Sequence, residues 1–411
     1  MPKPRRKPTR SGRSPGRSRA GSAGSRADKN RSAKTPAAPN PGWTDASILK
    51  VARKPIQALK PYVPGKSIEE VRARYAPPII TKLGSNENPL GASPKVLDAL
   101  RETLPWVSLY PDGSSRDLRR ALAESHGLSP EQIMVGNGSD EVLLLIAAAF
   151  LNPGEKVLIA ENTFSEYEFA SRVMDGAVVK IPLKALRYDL AAFRRKVAKG
   201  PKLVFLCNPN NPTGTYFTHA ELEALLRAAP AGTLVVVDEA YCEYADAADF
   251  PRSLELLRDW PNLIISRTFS KIFGMAGLRL GYAFAHPLII RETARVKTPF
   301  NVNLLVQAAA LAALGDTEFR DRSIANNLAG RAFLDRELAA RGLEPLPTQA
   351  NFICFRVPRP AVDVCEDMLK RGVIARALRS FGLENMIRIT IGTPEQNRRF
   401  LEALDEALRG G

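Results

Sequence analysis

Leu203-Val204-Phe205-Leu206-Cys207-Asn208-Pro209-Asn210-Asn211-Pro212-Thr213-Gly214, and further on Leu234-Val235-Val236-Val237-Asp238-Glu239-Ala240-Tyr241, decide how this chain folds. In each, a short β-rich run, apolar throughout, ends abruptly in polar residues. Between them, Ala220 to Ala229 reads as a helix. Strands apolar on both faces and joined through helices predict an α/β protein with a mainly parallel, doubly wound sheet. Working outward, Asp140 to Leu151 reads as a helix, because a long apolar run follows the helix-start residues Gly138-Ser139-Asp140-Glu141. Lys156 to Ala160 and Ala177 to Ile181 read as short buried strands, and Leu263 to Ser266 as one more. Beyond about residue 300 the pattern changes. Leu304 to Ala313 and Glu318 to Arg341 read as long helices, followed by a strand at Asn351 to Phe355 and a helix at Ala361 to Arg371. A strand at Met386 to Ile391 and a closing helix from Glu395 complete what reads as a second, smaller α+β domain.

In sheets of this kind ligands sit at the C-terminal ends of the strands. The first strand ends in a proline-rigid turn holding three asparagines. The second ends in Asp238, and a carboxylate there is costly unless a cation or a hydrogen-bond network meets it. A protonated pyridine nitrogen is such a cation, and the pairing makes a pyridine cofactor a better electron sink. The following strand leads into Arg267-Thr268-Phe269-Ser270-Lys271, with Arg279 eight residues later. A lysine that can lose its charge forms a Schiff base with an aldehyde, and pyridoxal phosphate is the usual aldehyde cofactor. Ser270 and Arg279 are of the types that hold a phosphate, by a hydroxyl and by a charged fork. The glycine-rich start Gly136-Asn137-Gly138-Ser139-Asp140 offers free N–H groups and a favourable helix dipole to the same anion. A lysine in a polar loop is ordinarily solvated surface. The strand-end acid, the asparagine turn and the phosphate cradle reverse that reading for Lys271.

The 411 residues are 45% apolar and 25% charged, as in an ordinary soluble globular protein. No apolar run approaches the ~18–20 residues that span a bilayer, so no membrane association is expected. The net charge of +16 is concentrated at one end. Residues 1–40 hold twelve Lys and Arg against Asp28 alone, a charge of +11, which leaves +5 for the rest. That tail has no Val, Ile, Leu, Phe, Trp or Tyr, so it is expected to be disordered. A basic arm for nucleic acid needs only charge, and transit peptides share the Arg/Ser richness but need an amphipathic face that this tail lacks. The reading adopted is a dispensable extension, with no nucleic-acid partner. The four cysteines are scattered, and His126, His219 and His286 lie far apart, so neither a disulfide framework nor a metal site is expected. A cytoplasmic protein is expected.

Taken together, these segments resemble the fold-type I pyridoxal-phosphate-dependent aminotransferases, and within them the histidinol-phosphate aminotransferase branch. The matching stretches are Ser85-Asn86-Glu87-Asn88-Pro89-Leu90-Gly91, Tyr110-Pro111-Asp112-Gly113, Gly136 to Glu141, Asn208 to Gly214, Asp238 to Tyr241, Arg267 to Gly281 and Arg388-Ile389-Thr390-Ile391-Gly392-Thr393. They run in family order from about Pro61 to the C-terminus. The resemblance implies that Lys271 bonds to the cofactor and then shuttles a proton. It implies that Asp238 pairs with the pyridine nitrogen, and that Asn211 and Tyr241 hydrogen-bond the ring oxygen. Backbone amides of Ser139 and Asp140, with Ser270 and Arg279, would hold the phosphate, and Tyr110 would reach it from the partner subunit of a homodimer. Phe164, where many relatives have Tyr, would stack on the ring, and Asn162 stands where Pro is common.

For substrate, the resemblance implies Tyr62, Asn88, Arg376 and Arg388. Arg388 would anchor the carboxylate of glutamate in one half-reaction and the substrate phosphate in the other; Arg376, with Tyr62 beside it, would be a second phosphate ligand. Arg379 sits where relatives often have a small residue. The implied reaction joins L-histidinol phosphate and 2-oxoglutarate to imidazole acetol phosphate and glutamate, a step of histidine biosynthesis. An aromatic amino acid aminotransferase, or a decarboxylase of a phosphorylated amino acid, shares nearly all these motifs. The division expected is a tail and linker at 1–45, an N-terminal arm with part of the small domain at 46–85, a large cofactor-binding domain at 86–300 and a small domain at 301–411.

Overall fold

The computed structural model describes residues 43–57, 59, 61 and 65–409; the expectations for the 1–40 tail and for Tyr62 fall outside them. The chain divides into two compact units, residues 1–51 and 52–411. The described part of the first carries the helix Asp45–Val51, at whose start Thr44 and Ser47 exchange hydrogen bonds. All else concerns the second unit.

Twelve strands occur among the described residues. They are β1 (Thr81–Lys82), β2 (Ile133–Gly136), β3 (Lys156–Ala160), β4 (Ala177–Ile181), β5 (Leu203–Cys207), β6 (Leu234–Asp238), β7 (Leu263–Thr268) and β8 (Gly281–Ala285), then β9 (Phe352–Arg356), β10 (Val373–Ile374), β11 (Arg376–Ala377) and β12 (Met386–Thr390). Seven of them form one sheet in the order β2-β8-β7-β6-β5-β3-β4. Four of the six pairings, β4–β3, β3–β5, β5–β6 and β6–β7, are parallel, while β8 runs antiparallel to both β7 and β2. The sheet is thus mainly parallel, as the apolar runs require.

The sequence reading gave no strand at β1, β2, β10 or β11, and two further differences have a plain cause. The strand Ala177–Ile181 is not buried: it is the sheet's edge, and only Ile181 is fully covered. A wholly buried antiparallel strand, Gly281–Ala285, follows the lysine loop where no strand was expected. Its short run Gly-Tyr-Ala-Phe-Ala gives no period by which to tell strand from loop.

The helices start where local chemistry favours them. Thr218 and Glu221 form a capping box at the head of His219–Ala228, satisfying two N–H groups reciprocally. The helix Ser139–Phe150 begins at Gly138, whose φ of +86° suits glycine, and buries Val142, Leu143, Leu145, Ile146 and Ala147. These chains fill one core with the sheet residues. A second core lies around the three-stranded antiparallel sheet β11-β12-β9. There Ile353, Phe355, Ile387 and Ile389 pack with Leu334, Leu338, Met368 and Phe400 from the helices Thr317–Ala340, Ala361–Lys370 and Pro394–Arg409. β1 joins this part to the N-terminal segment by pairing with β10.

Candidate active site

Register brings the strand ends together. Cys207 pairs with Asp238, and Asp238 with Ser266, so the Asn208–Gly214 turn, Asp238 and the lysine loop all leave at the C-terminal ends of these parallel strands. A cavity of about 790 Å³ opens there, within the size range of small-molecule sites. It is lined by Ser139, Asp140, Phe164, Asn211, Asp238, Tyr241, Ser270, Lys271 and Arg279, and by Arg376 and Arg388 from the smaller sheet.

Asp238 is 2% exposed. Its Oδ2 accepts from the Tyr167 hydroxyl at 2.7 Å and its Oδ1 from the Ala240 amide at 3.2 Å. Burial nevertheless pushes its carboxyl up to about 6, with the acids Asp140 and Glu239 acting the same way. Among the described residues no lysine or arginine forms an ion pair with this carboxylate; the nearby guanidiniums pair with Glu239 and Asp140 instead. Lys271 Nζ lies 3.4 Å from the Ser85 carbonyl and 5.6 Å from the Tyr241 ring centre. Burial, then the Arg388 charge, brings its ammonium down to about 8. The Tyr241 hydroxyl accepts from Asn86 Nδ2 at 3.0 Å, and burial holds it above the usual phenol range.

The three asparagines of the turn divide their work. Asn208 is spent on the Phe217 backbone, and Asn210 binds Thr163, Thr213 and the Asn162 carbonyl. Asn211 alone lines the cavity, its Oδ1 accepting from Arg388 Nη1. That leaves the Nδ2 end of its amide to donate elsewhere.

At the head of helix Ser139–Phe150, Arg279 Nη2 lies 3.1 Å from Asp140 Oδ2, and Nη1 lies 3.4 Å from Ser270 Oγ. This grouping needs glycine twice. A Cβ on Gly138 would stand 2.5 Å from Arg279 Nη2, and one on Gly281 would stand 2.2 Å from the Ser139 nitrogen. The absent side chains let β8 approach the helix start, where unpaired N–H groups and a guanidinium converge as an anion cradle.

Arg376 and Arg388 are Cα partners across β11 and β12, so both belong to the same face of that sheet. Arg388 is 7% exposed and also donates to the Gly84 carbonyl at 2.8 Å. Arg376 is half-buried and reaches Ser380 Oγ at 3.5 Å.

Of the expected residues, Asn88 and Tyr110 lie outside this cavity, Tyr110 being expected in the partner's cavity, and Arg379, for which no place was assigned, lies outside it as well. Asn88 does not line the cavity: its Nδ2 donates to the Ile272 carbonyl and Ser323 Oγ, and its Oδ1 accepts from Leu90, so its amide holds the loop instead. Tyr110 is 81% exposed and stacks on Phe300 at 4.7 Å, outside this chain's own cavity. Arg379 turns outward to Glu384 at 3.6 Å. The sequence reading missed Tyr167 and Asn86, which hold Asp238 and Tyr241, and the buried Glu239–Arg267 pair beneath them. Asn86 lay inside a recognised motif, but its partner is 155 residues away.

Residues 78–404 match the family model described as aminotransferase class I and II. The histidinol-phosphate aminotransferase of Moorella thermoacetica is 46% identical over 87% of this chain and 92% of its own length. That of Symbiobacterium thermophilum is 46% identical over 88% of this chain and 100% of its own. Among solved structures, the histidinol-phosphate aminotransferase from Sinorhizobium meliloti in complex with pyridoxal-5'-phosphate aligns with a TM-score of 0.79 at 30% identity, covering 88% of this chain and 98% of that one. The chain belongs to the class I and II aminotransferases, pyridoxal-phosphate enzymes of fold-type I, and within them to the histidinol-phosphate aminotransferase family. The residues present fit that cofactor. A buried acid without a cation meets the need of a protonated ring nitrogen, a lysine with a depressed pKa meets an aldehyde, and the glycine-opened cradle meets a phosphate.

Proposed function

We propose that this protein transfers an amino group between L-histidinol phosphate and 2-oxoglutarate, giving imidazole acetol phosphate and glutamate, as a step of histidine biosynthesis. The observation that carries the reading is the arginine pair. Arg376 and Arg388 stand side by side on β11 and β12, and both line the cavity that holds Lys271 and Asp238. The anion cradle at Ser139 is a separate group of residues, so a second anion has its own place. Both substrates of this reaction are anions, and one pocket must take them in turn.

When bound, pyridoxal phosphate supplies the aldehyde that accepts the amino group and a protonated ring that draws electrons from the bond broken at the substrate. The chain's residues do the rest. Ser139 and Asp140 amides, Ser270 Oγ and Arg279 would hold the cofactor phosphate. Asp238 would keep the ring nitrogen protonated, the Asn211 Nδ2 and Tyr241 hydroxyl would donate to the ring oxygen, and Phe164 would supply an apolar wall for the ring. Lys271 Nζ, neutral in a large fraction of molecules near pH 8, takes up the proton released at the reacting carbon and returns one. Arg388 orients the glutamate carboxylate and, in the other half-reaction, the histidinol phosphate; Arg376 adds the second charge that a phosphate calls for. In this scheme residues 86–300 form the cofactor domain and 301–411 the smaller one, to which β1 adds a strand by pairing with β10.

The proposal includes a homodimer in the cytoplasm. Leu104, Trp106, Val107, Leu109 and Tyr110 are all exposed in one stretch, and an apolar patch of this kind calls for a partner surface. With Tyr110 in that stretch, the partner's cavity is the place its ring and hydroxyl are needed. Sedimentation equilibrium should give twice the chain mass at micromolar concentration; a single-chain mass would contradict the dimer. Among the described residues no helix is long and apolar enough to cross a membrane.

Substitution of Arg376 tests the substrate. Arg376→Ala should lower kcat/KM for histidinol phosphate by roughly ten- to a hundredfold, the loss of a charge-assisted contact, and leave phenylalanine turnover nearly unchanged. Equal losses would favour an aromatic amino acid aminotransferase, in which an apolar ring and one carboxylate leave Arg376 little to do.

A further inference from the structure

We infer that Asn162 is a positioning residue that ties the 379–382 turn to the large-sheet side of the cavity and so sets how tightly the anionic end of the substrate is held. Asn162 follows β3 of the seven-stranded sheet, and Phe381 follows β11 of the three-stranded one. The Asn162 Nδ2 donates to the Phe381 carbonyl at 2.6 Å, joining residues 219 apart in sequence. Both line the cavity.

The donor is held in place before it meets its acceptor. The Asn162 carbonyl accepts from Asn210 Nδ2 at 3.0 Å, and Asn210 is fixed in turn by Thr163 Oγ1 at 2.8 Å and Thr213 Oγ1 at 2.9 Å. The acceptor turn is a single 3-10 turn, Arg379–Phe381, closed by Gly382 in the left-handed region at φ +76°. Within its own side of the cavity it is held by Phe381 N to the Leu378 carbonyl and Gly382 N to the Arg379 carbonyl, both at 2.9 Å, by Leu383 N to the Leu378 carbonyl at 3.1 Å, and by packing of Phe381 against Leu378 and Met386. These contacts tie the turn to the smaller sheet; the Asn162 bond ties it to the opposite wall of the cavity.

What the turn carries gives the bond its consequence. Arg376 Nη2 donates to Ser380 Oγ at 3.5 Å. The chain of contact runs from Asn162 through Phe381 and Ser380 to Arg376. If the turn drifts, Arg376 loses its support and Ser380 leaves the cavity wall, while Arg388, anchored on Asn211 and Gly84, stays. The effect belongs to the anion that Arg376 meets, and in this respect the inference rests on the proposed substrate.

The test uses the cofactor-loaded enzyme and two variants. Asn162→Ala removes the donor, and Asn162→Asp keeps the shape but sets a carboxylate against the Phe381 carbonyl. In both, hydrogen–deuterium exchange of the 379–383 amides should quicken by roughly three- to tenfold, the worth of one hydrogen bond, with the lysine loop 268–281 unchanged. KM for histidinol phosphate should rise by a similar factor, while kcat, the visible cofactor band and the melting temperature stay as in the parent. Unchanged exchange in both variants overturns the inference, as does a quickened turn with an unchanged KM. If the parent enzyme does not use histidinol phosphate at all, the substrate reading fails, and the exchange data still decide whether Asn162 holds the turn.

Discussion

Burial and the Arg388 guanidinium act together on Lys271, moving its ammonium from 10.5 to about 8. A neutral amine is the form that both attacks an aldehyde and accepts a proton, so the depression sets the pH at which this residue works. In the cofactor-free protein, acylation of Nζ followed by mass spectrometry should show a midpoint near pH 8, and Arg388→Gln should move it upward. A midpoint left in place would remove Arg388 from the account. Asp238 runs the other way. Its folded pKa, about 6, lies above the ordinary 3.8, so the folded state holds the extra proton, and this carboxyl's contribution to stability is lost as pH rises through 6. A cationic ring nitrogen offsets that cost, which is why the acid and the cofactor belong together. Asp238, Lys271 and Arg279 were legible because each carries its chemistry in its own residue type and stands at a strand end or in a short loop. Tyr167 was not, since it shows its value only against Asp238, 71 residues along the chain.

At the scale of elements, the meeting of β8 with the start of helix Ser139–Phe150 decides whether a phosphate has a seat. Gly281→Ala would push a methyl into the Ser139 nitrogen, and neither backbone can retreat without disturbing the sheet. The expected cost is about 1–3 kcal/mol in stability, as for overpacking elsewhere, with a weaker hold on pyridoxal phosphate. Thermal melts and a visible titration with the cofactor check both; a variant with unaltered affinity would show that the close approach is not what makes the cradle. Most elements were legible because their apolar runs are long or end sharply, as in β5, β6 and the helix at 139–150. The edge strand β4 reads like a buried one, because Val178 and Val179 are apolar yet only half-covered. The long helix Thr317–Ala340 looks merely charged, but its buried positions Phe319, Ser323, Asn327, Gly330, Leu334 and Leu338 recur every three or four residues. Half of them are polar or glycine, so hydropathy alone hides the stripe; Ser323 is where Asn88 is tied.

For the molecule as a whole, the charge balance and the fold tell different stories. The +16 is mostly the +11 of residues 1–40, outside the described structure, while residues 78–404 carry the whole family match. The parallel sheet and the cofactor end of its cavity could be read from sequence, because a strand-end acid, an asparagine turn and a lysine loop suffice to define them. The substrate end could not be read as fully. It is built by a second sheet whose arginines become neighbours only through the β11–β12 register, and by a turn held from the other side by Asn162. In the proposed function this second end selects a phosphorylated amine. That selection is tested most directly by kcat/KM of the unaltered enzyme for histidinol phosphate, phenylalanine and tyrosine, each with 2-oxoglutarate. Histidinol phosphate should be preferred by roughly a hundredfold or more, as when a buried charged contact goes unmet by the competitor. Phenylalanine or tyrosine turned over as well as histidinol phosphate would contradict it.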